Sequence, residues 1–503
     1  MTLSITPTPY FALQMSFVKL NSFDIFDTLL ARRCVTSFEI YAEVERRCAW
    51  PGFMQLRIQA EQTVANQGEF TLDDVYACLQ HQSGQTEELI QRAKMIEIDV
   101  EHENAVPIQE NLEKLDDSSL IITDTCLPKS IIRSLLHSIG APSHLNILRS
   151  ANGKRSGEMW RGLREAGIRC SHLGDNLASD VVQPLAYGMQ AQQTCIAEST
   201  YTEQAIAQAG CAGLARALRV ARLSTSRGVL DPKLHRLQVE LNLPMLVITS
   251  LFLYARLAAG DVKALLFSSR DARYLYQVFM ACGKALGINT SELPAYYWYS
   301  SRLSRIEGSD DYLNYCRDLV PKNSLMVDLC GTGRSNTVLR KRLGYDQDEL
   351  PLFLCVRMNL PDASKFQQRY DLDSLDTPQA LWDQAYFTHS IALEFLNYVP
   401  EGMVLDVRKI MGGTVPLRSP MEFDKEQLEQ VHAQASYVQD FCKCLEKEIN
   451  PTIQHEITMH LDPLRQNFAN AVQNMNAEVR DLLNAWLPIH MAQEEVFIPE
   501  RVR

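Results

Sequence analysis

The sequence predicts an α/β protein: a doubly wound parallel sheet carrying a helical insertion, then a second open α/β segment, then a helical C-terminal region. Three observations predict it. Short apolar runs (FVKLNSF, SLIITDT, LNILRS) alternate with amphipathic stretches, and strand alternating with helix means a parallel sheet with helices on its faces. The roughly 80 residues between the first two runs are too many for a plain crossover and carry a helical period. The alternation then starts afresh at KALLFSSRD. At 503 residues the chain exceeds one core, so two or three domains are expected.

FVKLNSFDIFDTLL opens as a strand and runs into an acidic turn. From Ser37 to about Leu115, FEIYAEVERRCAW, QLRIQAEQTVANQ and EELIQRAKMIEIDVEHE place apolar residues three and four apart, which predicts helices. Asp116 to Ser119 reads as a loop, SLIITDT as a buried strand, and PKSIIRSLLHSIG as a helix ending at Gly140. LNILRS is a further strand, Met159 to Ala166 a helix, and SHLGDN a strand running into a loop. Residues from about Thr200 to Leu241 read as a helical connector. The apolar stretch Leu243 to Ala255 contains Pro244, Thr249 and Ser250 and is closed by Arg256. It falls short of the ~20 residues a membrane span needs, so it is expected to be a buried helix. KALLFSSRD, PAYYWYSSR, NSLMVDLCGTGRS and LPLFLCVRM then read as strands, with ARYLYQVFMACGKALG and TVLRKRLG as helices between them. The aromatic run Tyr296 to Tyr299 is expected to be a buried strand rather than a base-stacking platform. Beyond Asp424 the pattern is acidic, Gln-rich and helical. The expected divisions are residues 1–200 (insertion about 35–115), a connector 201–242, a second α/β domain 243–420, and helices over 421–503.

Apolar residues make up 46% and charged residues 22%, a soluble globular mix. A net charge of -12 argues against a nucleic-acid surface, while leaving room for a local basic pocket for phosphate. The 13 cysteines include no CxxC pair, and the closest two are Cys442 and Cys444. That usage predicts reduced thiols in a cytoplasmic setting. The first residues, MTLSITPTPYFALQ, lack a basic segment followed by an apolar one, so no secretory signal is expected, nor any membrane span.

In an open parallel sheet, ligands bind where loops converge at the carboxyl ends of the strands. Four such loops carry suitable chemistry in order: Asp24 after the first strand, Thr123 ending LIIT, Lys154 in SANGKRSG, and Asp175 with Asp180 in GDNLASD. Phosphoryl transfer through a carboxylate needs such a set. A carboxylate attacks, a hydroxyl and an ammonium hold the phosphoryl oxygens, and further carboxylates fix Mg²⁺. FDIFDTLL, TDTCLP, NGKRSGEMW and HLGDNLASDV together resemble the stations of the haloacid-dehalogenase-like (HAD) superfamily over about residues 17 to 195. With LRIQAEQTVANQGEFTLDDVYACL they look like the HAD-like proteins found beside surface-polysaccharide glycosyltransferases. The resemblance implies that Asp24 is the nucleophile, that Thr123 and Lys154 hold the phosphoryl group, and that the insertion is a cap over a small phosphorylated substrate. It further implies that Mg²⁺ is held by Asp24, the Phe26 backbone carbonyl and Asp175, with Asp180 a ligand or its neighbour. One departure stands out. Where the family phosphatases carry an acid/base aspartate two residues after the nucleophile, this chain has Phe26, which puts proton transfer to the leaving group in question. Asp27 is a poor substitute if the segment stays extended, because it then faces the other way. Asp124 is read as a helix cap or solvated loop residue, and His172 as packing.

The phrase VDLCGTGRS runs from a strand through Asp328, Thr332, Gly333 and Ser335 into a helix, a turn able to aim backbone N–H groups at an anion. It resembles the ribose-phosphate loop of phosphoribosyltransferases, which implies a phosphate site at those four residues. Val327 stands where that family usually has a first acid. A methyltransferase turn has one residue more than DLCGTG, and a plain strand-to-helix turn is the remaining alternative. Upstream, Ser269-Arg270-Asp271 and Ser301-Arg302 are expected at strand ends suited to a pyrophosphate. The leading expectation is an HAD-like phosphohydrolase or phosphotransferase acting on a phosphorylated sugar or nucleotide. The alternatives are phosphoribosyl or glycosyl transfer in the second domain, and a non-enzymatic ligand sensor or partner platform.

Overall fold

The computed structural model describes residues 18–485 apart from 35–36, 321–322, 359–363, 376, 384–389, 422, 476 and 483. The protein is α/β, with two parallel five-stranded sheets, and divides into the units Met1–Glu198 and Ser199–Arg503.

The first unit contains β1 (Val18–Phe23), β2 (Leu30–Arg32), β3 (Ala105–Pro107), β4 (Leu120–Asp124), β5 (Asn146–Ser150), β6 (Ile168–Gly174) and β7 (Gln190–Gln193). Its sheet runs β5-β4-β1-β6-β7 with every pair parallel. In chain order this is 3-2-1-4-5, which reverses direction between β1 and β6 and opens a crevice at their carboxyl ends. Leu120 to Thr123 on β4 are all buried, as expected of a central strand covered on both faces. One face packs Phe23, Ile25, Ile121 and Ile147 against helices, and the other packs Leu120, Ile122 and Cys170 against Trp160 and Leu163. β7 reads QAQQ and sits at the sheet edge. Without an apolar residue other than alanine it gives no strand signal in the sequence.

The insertion leaves the sheet along β2 and returns along β3, which pair antiparallel at Leu30–Pro107, Ala31–Val106 and Arg32–Ala105. Between them lie α1 (Ser37–Cys48), α2 (Phe53–Ala65), α3 (Leu72–Ser83) and α4 (Glu87–Asn104). Each buries one stripe at helical spacing: Ile40 and Val44, Phe53 and Ala60, Leu72, Val75 and Leu79, and Ile90, Ala93 and Val100. A Thr71–Asp74 capping box starts α3, and left-handed Gly84 (φ 65°) ends it. Buried Arg57 on α2 grips Glu97 on α4 through two bonds of 2.9 and 2.8 Å, and Tyr76 on α3 donates to the same carboxylate at 2.8 Å. Such a pair adds little net stability, but it fixes how the three helices meet.

In the second unit, β8 (Ala264–Ser268), β9 (Ala295–Trp298), β10 (Ser324–Gly331), β11 (Leu352–Arg357) and β12 (Gln379–Asp383) order as β12-β11-β10-β8-β9, all parallel. This is 2-1-3-4-5 in chain order, with its reversal between β8 and β10. β13 (Val404–Ile410) and β14 (Gly413–Arg418) form a separate antiparallel hairpin. The stretch 201–242, expected as a connector, is helical, and its Leu214, Leu218, Leu234 and Leu237 belong to the main core of this unit. The helix Leu243–Ala258 is buried along most of its length, as expected. The helical run Pro232–Ala258 is long and apolar enough to cross a membrane, but 72% of its apolar window is buried within the protein. The aromatic strand differs from expectation. β9 is an edge strand, so Trp298 is buried while Tyr296 is 40% exposed. All 13 cysteines are free thiols.

Candidate active site

The crevice between β1 and β6 gathers the predicted residues. Asp24, one residue beyond β1, donates its amide to Leu173 O on β6 at 2.9 Å. The chain then turns tightly: the amides of Thr28, Leu29 and Leu30 converge on Ile25 O at 3.3, 2.8 and 2.9 Å, and that of Asp27 reaches Leu30 O at 2.7 Å. Asp27 is left-handed (φ 56°), a conformation aspartate tolerates better than most residues. The segment is therefore not extended, and Asp27 does not face away as an extended chain would require. Its negative charge is felt by Asp175 and by Arg32. The turn leaves the Phe26 carbonyl out of these hydrogen bonds.

Lys154 arrives on a short helical turn, Gly153–Ser156, after β5. Asp124, ending β4, accepts the amides of Lys154 and Arg155 at 2.9 and 3.2 Å, and so works as a cap that sets the position of Lys154. Gly153 is needed for closeness: a Cβ there would stand 2.6 Å from Ser150 Oγ. The Lys154 ammonium, 2% exposed, lies 2.7 Å from Asp24 Oδ1 and 2.5 Å from Asp180 Oδ1. Burial alone would depress its pKa, but the two carboxylates outweigh burial and hold it above its usual value.

Asp180 sits on a π-helical turn, Leu177–Val182, whose first amides are capped by the Asn176 side chain. Such wide turns re-aim a side chain without breaking the helix that follows. The turn brings the Asp180 carboxyl against Gly174, which has no room for a Cβ. Asn176 N donates to Asp180 Oδ2 at 3.0 Å, and His172 Nε2 lies 3.3 Å from Oδ1. Burial works against ionisation of Asp180, yet the His172 hydrogen bond and the Lys154 charge pull its pKa down to about 2. Burial lowers the His172 pKa and so favours the neutral ring, against the pull of Asp180. An ionised carboxylate only accepts, so Nε2 carries the hydrogen, and Nδ1 accepts from Ser22 Oγ at 3.0 Å. Asp175 is half-buried, and among the described residues no cation or histidine offsets its charge, only a backbone hydrogen bond. Burial first, then Asp24, Asp180 and Asp27, push its carboxyl up to about 7.

Oxygens of Asp24, Asp175 and Asp180 lie within 4.8 Å of one another. Three carboxylates against the single charge of Lys154 leave a deficit that a divalent oxygen-binding cation such as Mg²⁺ would offset, and their repulsion adds to burial in raising the Asp175 pKa. The residue types, hard oxygens in a half-buried crevice, fit such an ion. No family model matches the chain. No curated protein is similar to it either.

Thr123 is buried on β4, one residue before Asp124. Phe26 is half-buried, with the Arg32 guanidinium 4.2 Å above its ring, and Arg32 forms two 2.9 Å bonds to Glu101 on α4. Three contributors escape sequence reasoning. The Ser22–His172 pair depends on β1 and β6 being neighbours, with Ser22 directly opposite His172. Glu69, between α2 and α3, accepts from Ser150 Oγ at 2.6 Å and from the amides of Ala151 and Asn152 at 2.8 and 3.4 Å, holding the insertion on the loop that leads to Lys154. Nothing in local sequence pairs residues so far apart.

In the second unit, Asp328 lies on β10 beside the reversal point and is buried, which raises its pKa. The third unforeseen residue is Arg305, which donates to Asp328 Oδ2 at 2.9 Å, Ser268 Oγ at 2.7 Å, Ser300 Oγ at 2.7 Å and Ser335 Oγ at 3.4 Å. Gly331 and Gly333 have φ of 155° and 79°, and the Thr332 turn leads into the helix Arg334–Leu343. Ser269 exchanges bonds with the Ser300 backbone, and Ser301 caps the helix Arg302–Glu307. Ser301 therefore has structural work and is not simply at a strand end awaiting an anion.

Proposed function

We propose that the first unit is a Mg²⁺-dependent HAD-like phosphohydrolase or phosphotransferase that acts through an aspartyl-phosphate on Asp24. The observation that carries this reading is Lys154 clamped between Asp24 and Asp180, with Asp175 beside them, at the carboxyl edge of a 3-2-1-4-5 sheet. Lys154 on Oδ1 orients the Asp24 carboxylate so that Oδ2 meets the phosphorus. The bond from that oxygen to phosphorus forms as the bond to the leaving oxygen breaks, and water or an acceptor hydroxyl then takes the phosphoryl group from Asp24. Thr123 and Lys154 are the groups for the phosphoryl oxygens. Mg²⁺, held by Asp24, the Phe26 carbonyl and Asp175 with Asp180 adjoining, would supply the positive charge that lets an anion attack an anion. The expected substrate is a small phosphorylated sugar or nucleotide.

Asp175→Ala is expected to abolish Mg²⁺-stimulated phosphate release from p-nitrophenyl phosphate, or to raise the metal requirement by an order of magnitude or more. Activity of the wild type that persists in chelator, or an unchanged metal titration in the variant, would refute the site.

Phe26 leaves the position two residues after the nucleophile without a proton to give, so esters with basic leaving groups are expected to react slowly. In Phe26→Asp the new carboxyl comes under Arg32, whose charge favours its ionised form. The gain for poor leaving groups is therefore expected near the bottom of the ~10²–10⁴-fold range of a well-placed acid, or below it. Rates across an ester series of rising leaving-group pKa, with melting curves to check folding, measure this. A variant gaining the full range would show that Arg32 does not hold the new carboxyl.

A second reading puts phosphoribosyl or glycosyl transfer at the carboxyl edge of β8 and β10. It is favoured by buried Asp328 on β10, three residues before the Gly331–Gly333 turn, with Thr332 and Ser335 as the phosphate side.

A further inference from the structure

Ser22, His172, Asp180, Lys154 and Asp24 form a continuous chain of polar contacts at 3.0, 3.3, 2.5 and 2.7 Å, all buried. The middle of this chain is over-specified for simple packing. Trp160, itself fully buried, sets its edge against the His172 ring at 4.8 Å between centroids, which fixes the ring plane. Ser22 fixes its rotation, because a flipped ring would present carbon to the hydroxyl and to Asp180. Asp180 Oδ2 is taken by the Asn176 amide, so His172 and Lys154 share Oδ1. A carboxylate held at both oxygens cannot swing, and the ammonium resting on it is placed to within the tolerance of one hydrogen bond. Small misplacements of a group that orients a nucleophile are costly in rate.

We propose that His172 is a positioning residue for phosphotransfer: through an Nε2–H bond to Asp180, locked by Ser22 on Nδ1, it holds the Lys154 ammonium on Asp24. The kinetic side of this rests on the phosphotransfer reading above, and the position of the ring proton does not. Two substitutions of similar polarity separate positioning from packing. In His172→Gln the amide nitrogen falls close to the place of Nε2 and can still donate to Asp180. In His172→Asn the amide is one bond shorter, falls near the place of Nδ1, and faces Ser22 instead. His172→Phe keeps a ring against Trp160 and donates nothing.

The experiment uses the full chain and p-nitrophenyl phosphate with Mg²⁺. His172→Phe and His172→Asn are expected to lose about 10- to 100-fold in kcat, the usual scale for residues that orient a site through a neighbour, and His172→Gln to recover most of it. Equal losses in Gln and Asn variants of equal melting temperature would overturn the proposal. Selective ¹⁵N-histidine labelling, with His172→Gln identifying the signals, gives a readout independent of turnover. A hydrogen on Nε2 is expected, and Ser22→Ala is expected to admit the Nδ1–H form. A wild-type ring with its hydrogen on Nδ1 and none on Nε2 would overturn the proposal whatever the kinetics of the variants. Wild-type protein without Asp24-dependent phosphate release would instead sink the phosphotransfer reading and leave the ring assignment standing.

Discussion

Replacing Asp24 by Asn is expected to remove phosphate release from the first unit, with a fall on the order of 10⁴-fold or more, since on the proposed mechanism the amide cannot form the covalent intermediate. The fold survives. The carboxamide in Asp24→Asn still offers Lys154 an oxygen, Asp180 keeps its 2.5 Å contact with the ammonium, and one of three mutually repelling carboxylates is gone. Thermal melting should shift by no more than about 1 kcal/mol equivalent. The measurement is phosphate release from p-nitrophenyl phosphate and a panel of sugar and nucleotide phosphates. Full activity in the pure variant would move the chemistry away from Asp24, and retained activity on phosphoribosyl donors alone would assign it to the second unit.

Lys154→Met has the second large effect, and it falls on stability and activity together. The side chain is 2% exposed and its two partners are 10% and 1% exposed. Deleting the cation leaves Asp24 and Asp180 buried with Asp175 adding to the repulsion, a loss of about 3–5 kcal/mol by the usual cost of breaking a buried pair. On the proposed mechanism turnover is expected to fall on the order of 10³-fold, because Asp24 would lose its orientation and the phosphoryl oxygens a charge. The diagnostic is the response to Mg²⁺. If a divalent ion shares these carboxylates, millimolar Mg²⁺ should raise the melting temperature of the variant more than that of the wild type. An equal response in both proteins would mean that the ion and Lys154 do not act on the same charges.

Elements that bury a stripe or a run are legible in the sequence. β4, with four buried apolar or β-branched residues in succession, and α1 to α4, with stripes at three and four spacing, follow directly from solvent avoidance. Elements held by pairing rather than burial are not. β7 is polar and gains its place from backbone bonds to β6, and the three-residue strands β2 and β3 are too short to show a period. The site divides the same way. Asp24, Lys154, Asp175 and Asp180 stand in loops or short helical turns beyond strand ends, where residue types announce their chemistry, and Asp175 and Asp180 follow closely on Gly174, which the geometry requires. The supporting partners are set by which strands become neighbours. Ser22 meets His172 only because β1 pairs β6 in that register, and Arg305, on the helix after β9, meets Asp328 because β9 pairs β8 and β8 pairs β10. Asp27 departs from expectation for a local reason: one left-handed residue changes the side a carboxylate faces, and its sequence gives no warning.

The β2–β3 ribbon bears on how such a protein can change over time. Residues 33–104 depart and rejoin through two strands side by side, at the ~5 Å separation of any paired strands. Covalently the block joins the sheet as one hairpin would, while Glu69 also ties it to the loop before Lys154. Exchanging it for a shorter, longer or unrelated block alters the closure entropy only slowly with length, by about 0.6 kcal/mol per doubling. On the phosphotransfer proposal, a block that keeps the Glu69 contacts could be exchanged at Arg32 and Ala105 while Asp24 and Lys154 stay in place.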